Sequence, residues 1–216
     1  NILRDSNHKF GTNPCSEIVL RDCEFCNLTE IVVREGDTKA SLMRKARLAT
    51  ILGTWQSTLT DFRYLASSWK KNCEEERLLG VSMTGIMDCK LTNGKGGNRL
   101  DQLLSGLRDE VVNVNRDYAN TLGIPQSAAI TCVKPSGTVS QLVDAASGIH
   151  ARHSPYYIRT VRGDIKDPLT NFLKDRGIPN EPCVMKPDTT VVFSFPMRSP
   201  DNAVTTSDMT AIEQLE

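Results

Sequence analysis

Long apolar runs are missing from this sequence. None approaches the roughly 20 residues that a membrane-crossing helix needs, so no membrane partner is expected. Charge of one sign is missing too. Lys and Arg total 26 and Asp and Glu total 26, which leaves no bulk electrostatic footprint for nucleic acid or an anionic membrane. The first residues, Asn1 to Asp5, carry neither a signal peptide nor an initiator Met, and the expectation is an excerpt of a longer protein. No internal repeat or low-complexity segment appears. A Walker loop, Gly-x-x-x-x-Gly-Lys-Ser/Thr, is also missing. Cys23-x-x-Cys26 reads as a zinc half-site, a redox pair or bystander thiols, and no second Cys-x-x-Cys or close His pair completes a four-ligand zinc site. No metal site is expected.

What is present is a chain of 216 residues, 39% hydrophobic, enough to bury a sizeable core. Its seven cysteines are odd in number and irregular in spacing. That is not the framework of a small secreted disulfide protein. A reducing cytosol fits better, so the expected location is cytoplasmic.

Taken in order, residues 1–12 read as a polar approach loop. Ile18-Val19-Leu20 begins a short strand, and residues 28–33 form a β-rich strand. After a turn at Gly36, Asp37 or Thr38 can cap a long helix over residues 39–65, which Gly53 may bend. Residues 70–76 form a charged run read as a solvated face. Residues 78–87 are apolar with two Gly, which fits either a strand approached closely by another backbone or a helix start. Residues 90–97 are a Gly/Asn/Lys loop. A second clear helix spans 99–120, with Leu100, Leu103, Leu107, Val111 and Val114 at spacings of three and four. A small-residue β run at 127–133 precedes Lys134-Pro135-Ser136-Gly137-Thr138, and residues 139–146 can start a helix. Residues 168–177 read as a short helix and 189–196 as a strand, with another helix beginning at the end. Helices alternating with β runs give an α/β class.

The chemistry concentrates in Asn13-Pro14-Cys15-Ser16-Glu17. On an extended backbone, residues two apart face one side, so an amide, a thiol and a carboxylate would project together. Pro14 disfavours helix or a central strand, which fits a protruding loop. Against this stands the ordinary reading, a buried Cys beside a solvated Glu. The loop at 135–138 has the make-up of a phosphate site: Ser136 and Thr138 hydroxyls, Gly137 for close approach and backbone N–H groups at a helix start. It is equally the make-up of an ordinary capped turn. His150 and His153 are a weak metal pair beside Pro155 and Gly148. Arg152, Arg159 and Arg162 face either phosphate and carboxylate groups or solvent.

Several of these segments together resemble the ribonucleotide reductases. Gly11-Thr12-Asn13-Pro14-Cys15-Ser16-Glu17-Ile18 is similar to the family's finger-loop motif, Asn-x-Cys-x-Glu. Phe25-Cys26-Asn27-Leu28 is similar to the segment carrying a redox-active cysteine. Leu79-Gly80-Val81-Ser82-Met83-Thr84-Gly85 resembles a Gly-rich helix lead, and Lys134-Pro135-Ser136-Gly137-Thr138 resembles the substrate-phosphate loop. Residues 147–162 resemble a stretch seen mainly in the cobalamin-dependent branch. The joint order of these motifs is far more specific than any one of them.

The resemblance implies that residues 1–216 are the C-terminal portion of a ten-stranded α/β barrel with a central finger loop. It implies radical reduction of ribonucleotides to 2′-deoxyribonucleotides, with adenosylcobalamin as cofactor. Cys15 would carry the thiyl radical, Glu17 would be the general base and Asn13 would orient the sugar. Cys26 would be half of a redox dithiol whose partner lies upstream of this chain. Pro135, Ser136, Gly137 and Thr138 would hold the substrate phosphates. A thioredoxin-like or dithiol reductant is implied, in a full-length monomer or homodimer, and the wording around Cys26 points to triphosphate-using members. Two alternatives remain: a large subunit served by a metal-cofactor partner subunit, and a non-catalytic nucleotide-phosphate-binding fragment. An isolated fragment is expected to have no turnover.

Overall fold

The computed structural model describes residues 3–95 and 97–215, so Gly96 of the 90–97 loop lies outside the described residues. The chain divides into two compact units, residues 1–152 with 202–204, and residues 153–201 with 205–216.

The first unit is built on β-α-β connections. Strands β1 (Phe10–Thr12) and β2 (Val19–Arg21) pair antiparallel as a hairpin whose loop holds residues 13–18. Strand β3 (Asn27–Val32) pairs parallel with β4 (Leu79–Thr84), from Asn27 opposite Leu79 to Val32 opposite Thr84. A parallel pair needs a crossover, and helices α1 (Lys39–Gln56) and α2 (Ser67–Glu76) supply it. Helix α3 (Asn98–Leu122) leads to the run after residue 127. That run bridges β4 in parallel at Val81 and Thr131, with Val81 N–H donating to Ile130 O at 2.8 Å.

Helix α1 starts where the capping residues predict. Thr38 accepts from Ser41 N–H and the Ser41 hydroxyl accepts from Thr38 N–H, a reciprocal capping box. Asp37 sits beside this cap and binds the Lys45 ammonium at 2.6 Å. The helix stops at Gln56 rather than running to 65, because from Thr58 to Thr60 the backbone N–H groups turn onto carbonyls two or three residues back. Gly53 lies within the helix. Its bare face meets Leu79, which would stand 3.2 Å from an added Cβ. The core between α1, α3 and the strands holds Leu42, Ala46, Leu79, Val81, Leu107 and Val111. Burying each large aliphatic there contributes about 1.5–3 kcal/mol. Asn115 is fully buried within it. Its amide donates to Thr54 Oγ1 and Ser127 Oγ and accepts from Ser127 N–H, tying both helices to the third β run.

Two sequence expectations are corrected here. Residues 79–84 are a strand rather than a helix lead, and the glycine closing it, Gly85, takes φ +76° to turn the chain. The charged run at 70–76 is not wholly solvated. It forms α2, and Glu76 at its end is fully buried between Arg4 and Arg21. Periodicity within one helix does not reveal which charges a separate segment will cover.

The second unit carries a three-stranded antiparallel sheet ordered β5 (Tyr156–Asp164), β7 (Thr190–Arg198), β6 (Asn180–Pro182). Helix α5 (Pro168–Asp175) begins with Pro168 in its first turn, capped by Asp167, whose carboxylate accepts from Leu169 N–H at 2.9 Å. Thr170 sits against Gly163 of β5 and Phe193 of β7 is fully buried. Strand β5 escapes the sequence reading because its residues are mostly exposed and none is buried.

Candidate active site

Residues 13–18 form a closed loop, not an extended segment. Asn13 N–H donates to Ile18 O at 3.2 Å, and Asn13 Oδ1 accepts from Ile18 N–H at 3.1 Å. Ser16 N–H donates to Asn13 O at 2.9 Å, and Ser16 holds φ +60°. The two-residue alternation therefore does not operate. Asn13 acts here as the tie that closes the loop, and its carbonyl oxygen is engaged. The protruding loop is as the proline predicts. Cys15 is exposed near its apex. The next side chain but one, Glu17, is half-buried, and its Oε2 is enclosed with no hydrogen-bond partner among the described residues.

Ile18, the neighbour of Glu17, packs in one cluster with Cys26 and Cys132. Burial pushes the Cys26 thiol above its ordinary range, and the negative charge of Glu17 pushes it further, against the pull of Lys134. A third thiol shares this ground. Cys132 is pushed up to about 11 by burial first, then by Glu17 and Cys26. The sequence reading missed Cys132. Its one signal was position, since it lies in the β run that leads into Lys134-Pro135-Ser136-Gly137-Thr138. Cys23 takes φ +57° in the turn after the hairpin. Among the described residues no group of three His, Cys, Asp or Glu is arranged to hold a metal ion.

The hairpin has a charged foundation. Arg4 binds Glu76 through Nε at 3.1 Å and donates to Val19 O at 2.9 Å. Arg21 of β2 reaches Glu76 at 2.8 Å and Glu75 at 2.7 Å. Glu24 accepts from Arg21 N–H at 2.8 Å. Burial and then the neighbouring Glu76 carboxylate push its carboxyl up to about 7, against the pull of Arg21 N–H and Arg4.

The 135–138 loop follows the third β run. Ser136 is buried and its Oγ accepts from Ser140 N–H at 3.0 Å. Gly137 holds φ +59°, and Gly137 and Thr138 are exposed. The helix behind them, α4 (Val139–Leu142), is a single turn. Its dipole is correspondingly small, so the donors that remain are local N–H and hydroxyl groups. Arg152 is not available to phosphate. Its guanidinium pairs with both oxygens of buried Asp88, at 2.8 and 2.9 Å, and with Asp144 at 3.0 Å. His153 packs edge-on against Tyr157 in the second unit.

No family model matches the chain. Curated relatives do. The chain is 31% identical over 212 residues to the adenosylcobalamin-dependent ribonucleoside-triphosphate reductase of Lactobacillus gasseri, covering 88% of this chain and 28% of the relative. It is 32% identical over 208 residues to the reductase of the same name from Euglena gracilis, covering 95% of this chain and 27% of the relative. A crystal structure of a B-12 dependent (class II) ribonucleotide reductase superposes with a TM-score of 0.72 at 29% identity, over 90% of this chain and 30% of that one. This chain is homologous to the class II ribonucleotide reductases over most of its length. It spans just over a quarter of the curated relatives it matches. In this chain the thiol-bearing loop, the Cys26 strand start and the 135–138 loop all belong to the first unit.

Proposed function

We propose that this chain is the part of a class II ribonucleotide reductase that carries the substrate-facing loop, one redox thiol and the phosphate loop. The whole protein then reduces a ribonucleotide, as the triphosphate in the relatives' names, to the 2′-deoxyribonucleotide. Residues 1–216 form the C-terminal portion of its ten-stranded barrel, in a cytoplasmic enzyme. The relatives' shared adenosylcobalamin dependence favours that cofactor over a metal-bearing partner subunit.

The single observation that carries the reading is Glu17. A carboxylate oxygen enclosed without a donor is costly unless a ligand completes it, and this one stands two residues from an exposed thiol and beside a half-buried one. The residues fit the cofactor in one respect that bears on chemistry: Cys15 is exposed at the loop, open to a radical source. When bound, adenosylcobalamin supplies a radical equivalent by homolysis of its carbon–cobalt bond. Cys15 holds that radical as a thiyl and takes the 3′ hydrogen of the ribose. Glu17 accepts the 3′-hydroxyl proton as the 2′-hydroxyl leaves as water. Cys26 and a partner thiol outside this chain give two electrons and two protons, one proton to the departing water and the other to the 2′ carbon, closing to a disulfide; Glu17 returns its proton to the 3′ oxygen and Cys15 returns its hydrogen to the 3′ carbon. A thioredoxin-like or small dithiol reductant reopens the disulfide. Asn13 keeps Cys15 and Glu17 in one closed loop and offers its amide N–H to the sugar. Ser136, Gly137 and Thr138 follow Pro135 in a turn whose N–H and hydroxyl groups bind the phosphates.

The test is made in the full-length polypeptide. Cys15→Ser is expected to abolish exchange of the 3′ hydrogen and all deoxynucleotide formation. Cys26→Ser is expected to leave exchange measurable and stop multiple turnovers. Turnover retained in Cys15→Ser would sink the reading. Nucleotide binding indifferent to Asn13, Cys15 and Glu17, with no reduction, would favour a phosphate-binding role alone.

A further inference from the structure

Gly80 is the second residue of β4 and has ordinary strand backbone, so its lack of a side chain is not there to permit a positive φ. A glycine at such a position weakens a strand unless something approaches closely. Here three side chains do. A Cβ on Gly80 would lie 2.5 Å from Leu28 Cδ2, 3.1 Å from Cys132 Sγ and 3.2 Å from Ile18 Cδ1. They come from three segments: β3, the β run ahead of the 135–138 loop, and the end of the 13–18 loop. Leu28 is the direct ladder partner of Gly80, and Ile18 is only 5% exposed.

Ile18 is the bolt of the thiol-bearing loop. Its backbone N–H and C=O both bond to Asn13, which closes the loop. Its side chain enters the space over Gly80, in a small cluster with Leu78 and Ala128 that Cys26, Leu28 and Cys132 pack against. Glu17 is the adjoining residue. The depth to which Ile18 sinks therefore sets how far Glu17 and Cys15 stand above the sheet that carries Cys26.

We propose that Gly80 is a positioning residue for the loop that bears Cys15 and Glu17: its bare backbone is the seat in which Ile18, Leu28 and Cys132 meet. This rests on the roles assigned to that loop above, but the seat itself is a statement about packing. A methyl group at Gly80 meets Leu28 about 1 Å inside normal carbon–carbon contact. The β3–β4 ladder fixes the Leu28 backbone but not its Cδ2, so the added methyl drives that side chain into the cluster it shares with Ile18; Ile18 sits at the end of a loop, and it is Ile18 that rises.

Gly80→Ala is tested in two ways. In the chain described above, iodoacetamide labelling followed by peptide mass spectrometry reads the half-buried Cys132 against the exposed Cys15 as internal reference. Labelling of Cys132 relative to Cys15 should rise several-fold as Ile18 lifts, while Gly36→Ala, where an added Cβ meets nothing within 4 Å, should leave the ratio unchanged. In the full-length polypeptide, kcat should fall by about tenfold to a hundredfold, the usual consequence of an ångström-scale misplacement. Adding Leu28→Ala, which removes the closest atom, should recover most of both effects. If Gly80→Ala does not fold, Ile18→Ala empties the same seat from the loop side and is expected to raise Cys132 labelling and lower kcat likewise. A labelling ratio within about twofold of the parent in every variant that folds would overturn the seat. That outcome is independent of the reaction: loss of the function reading would instead appear as turnover in Cys15→Ser with the labelling changes intact.

Discussion

At the scale of single residues, Arg152 shows how far a charge can be from the role its neighbours advertise. It lies among His150, His153 and Tyr156, in a stretch that reads as an anion-facing surface, yet it is 5% exposed and forked onto Asp88. Asp88 also accepts Ala146 N–H, so this pair fastens the segment after the 135–138 loop to the turn after β4. Removing one partner of a buried pair leaves the other charge uncompensated. Arg152→Ala is expected to cost about 3–5 kcal/mol of stability, and Arg152→Lys to recover only part of it because an ammonium cannot form the fork. Urea denaturation of the three proteins checks this. Asn13 teaches the complementary point. Its residue type and its place beside Cys15 were legible. That its carbonyl would be consumed in closing the loop was not, since spacing along a chain does not state which backbone N–H will come round to meet it.

Among elements, the hairpin that presents Cys15 is held at its base by Arg4, Arg21, Glu24, Glu75 and Glu76. Glu24 titrates near 7 when folded and near 4.5 as a free group. As the pH rises through that window the unfolded chain loses its proton first, while the folded chain must keep one or ionise a buried carboxyl beside Glu76. Stability is therefore expected to fall between about pH 4.5 and 7, by on the order of 1–2 kcal/mol after solvent screening, and to level off above. Glu24→Gln should flatten that slope, and denaturation midpoints at pH 5, 6, 7 and 8 measure it. A steeper slope in the variant would refute the assignment. The elements themselves were legible where apolar periodicity is strong, as in α3, or where a cap stands at the start, as in α1 and α5. Strands β1 and β5 were not, because an exposed strand owes its shape to the partner it pairs with.

At the scale of the molecule, the decisive fact is coverage. This chain matches 27% and 28% of two reductase relatives, and the partner thiol of Cys26 is assigned outside it. Incubated alone with a ribonucleotide, adenosylcobalamin and a dithiol, it is expected to form no deoxynucleotide; sustained formation would overturn the division of labour proposed for Cys26. The sequence by itself determined the α/β class, the loop carrying Cys15 and Glu17, and the order of three motifs along the chain, because residue type, proline placement and helical spacing are local properties. The tertiary structure alone decided that Glu17 lies beside Cys26 and Cys132, that Arg152 belongs to Asp88, and that Ile18 is seated over Gly80. Most of those relations join residues dozens of positions apart, and their register is set by which strand pairs with which and by the side chain that one glycine does not have.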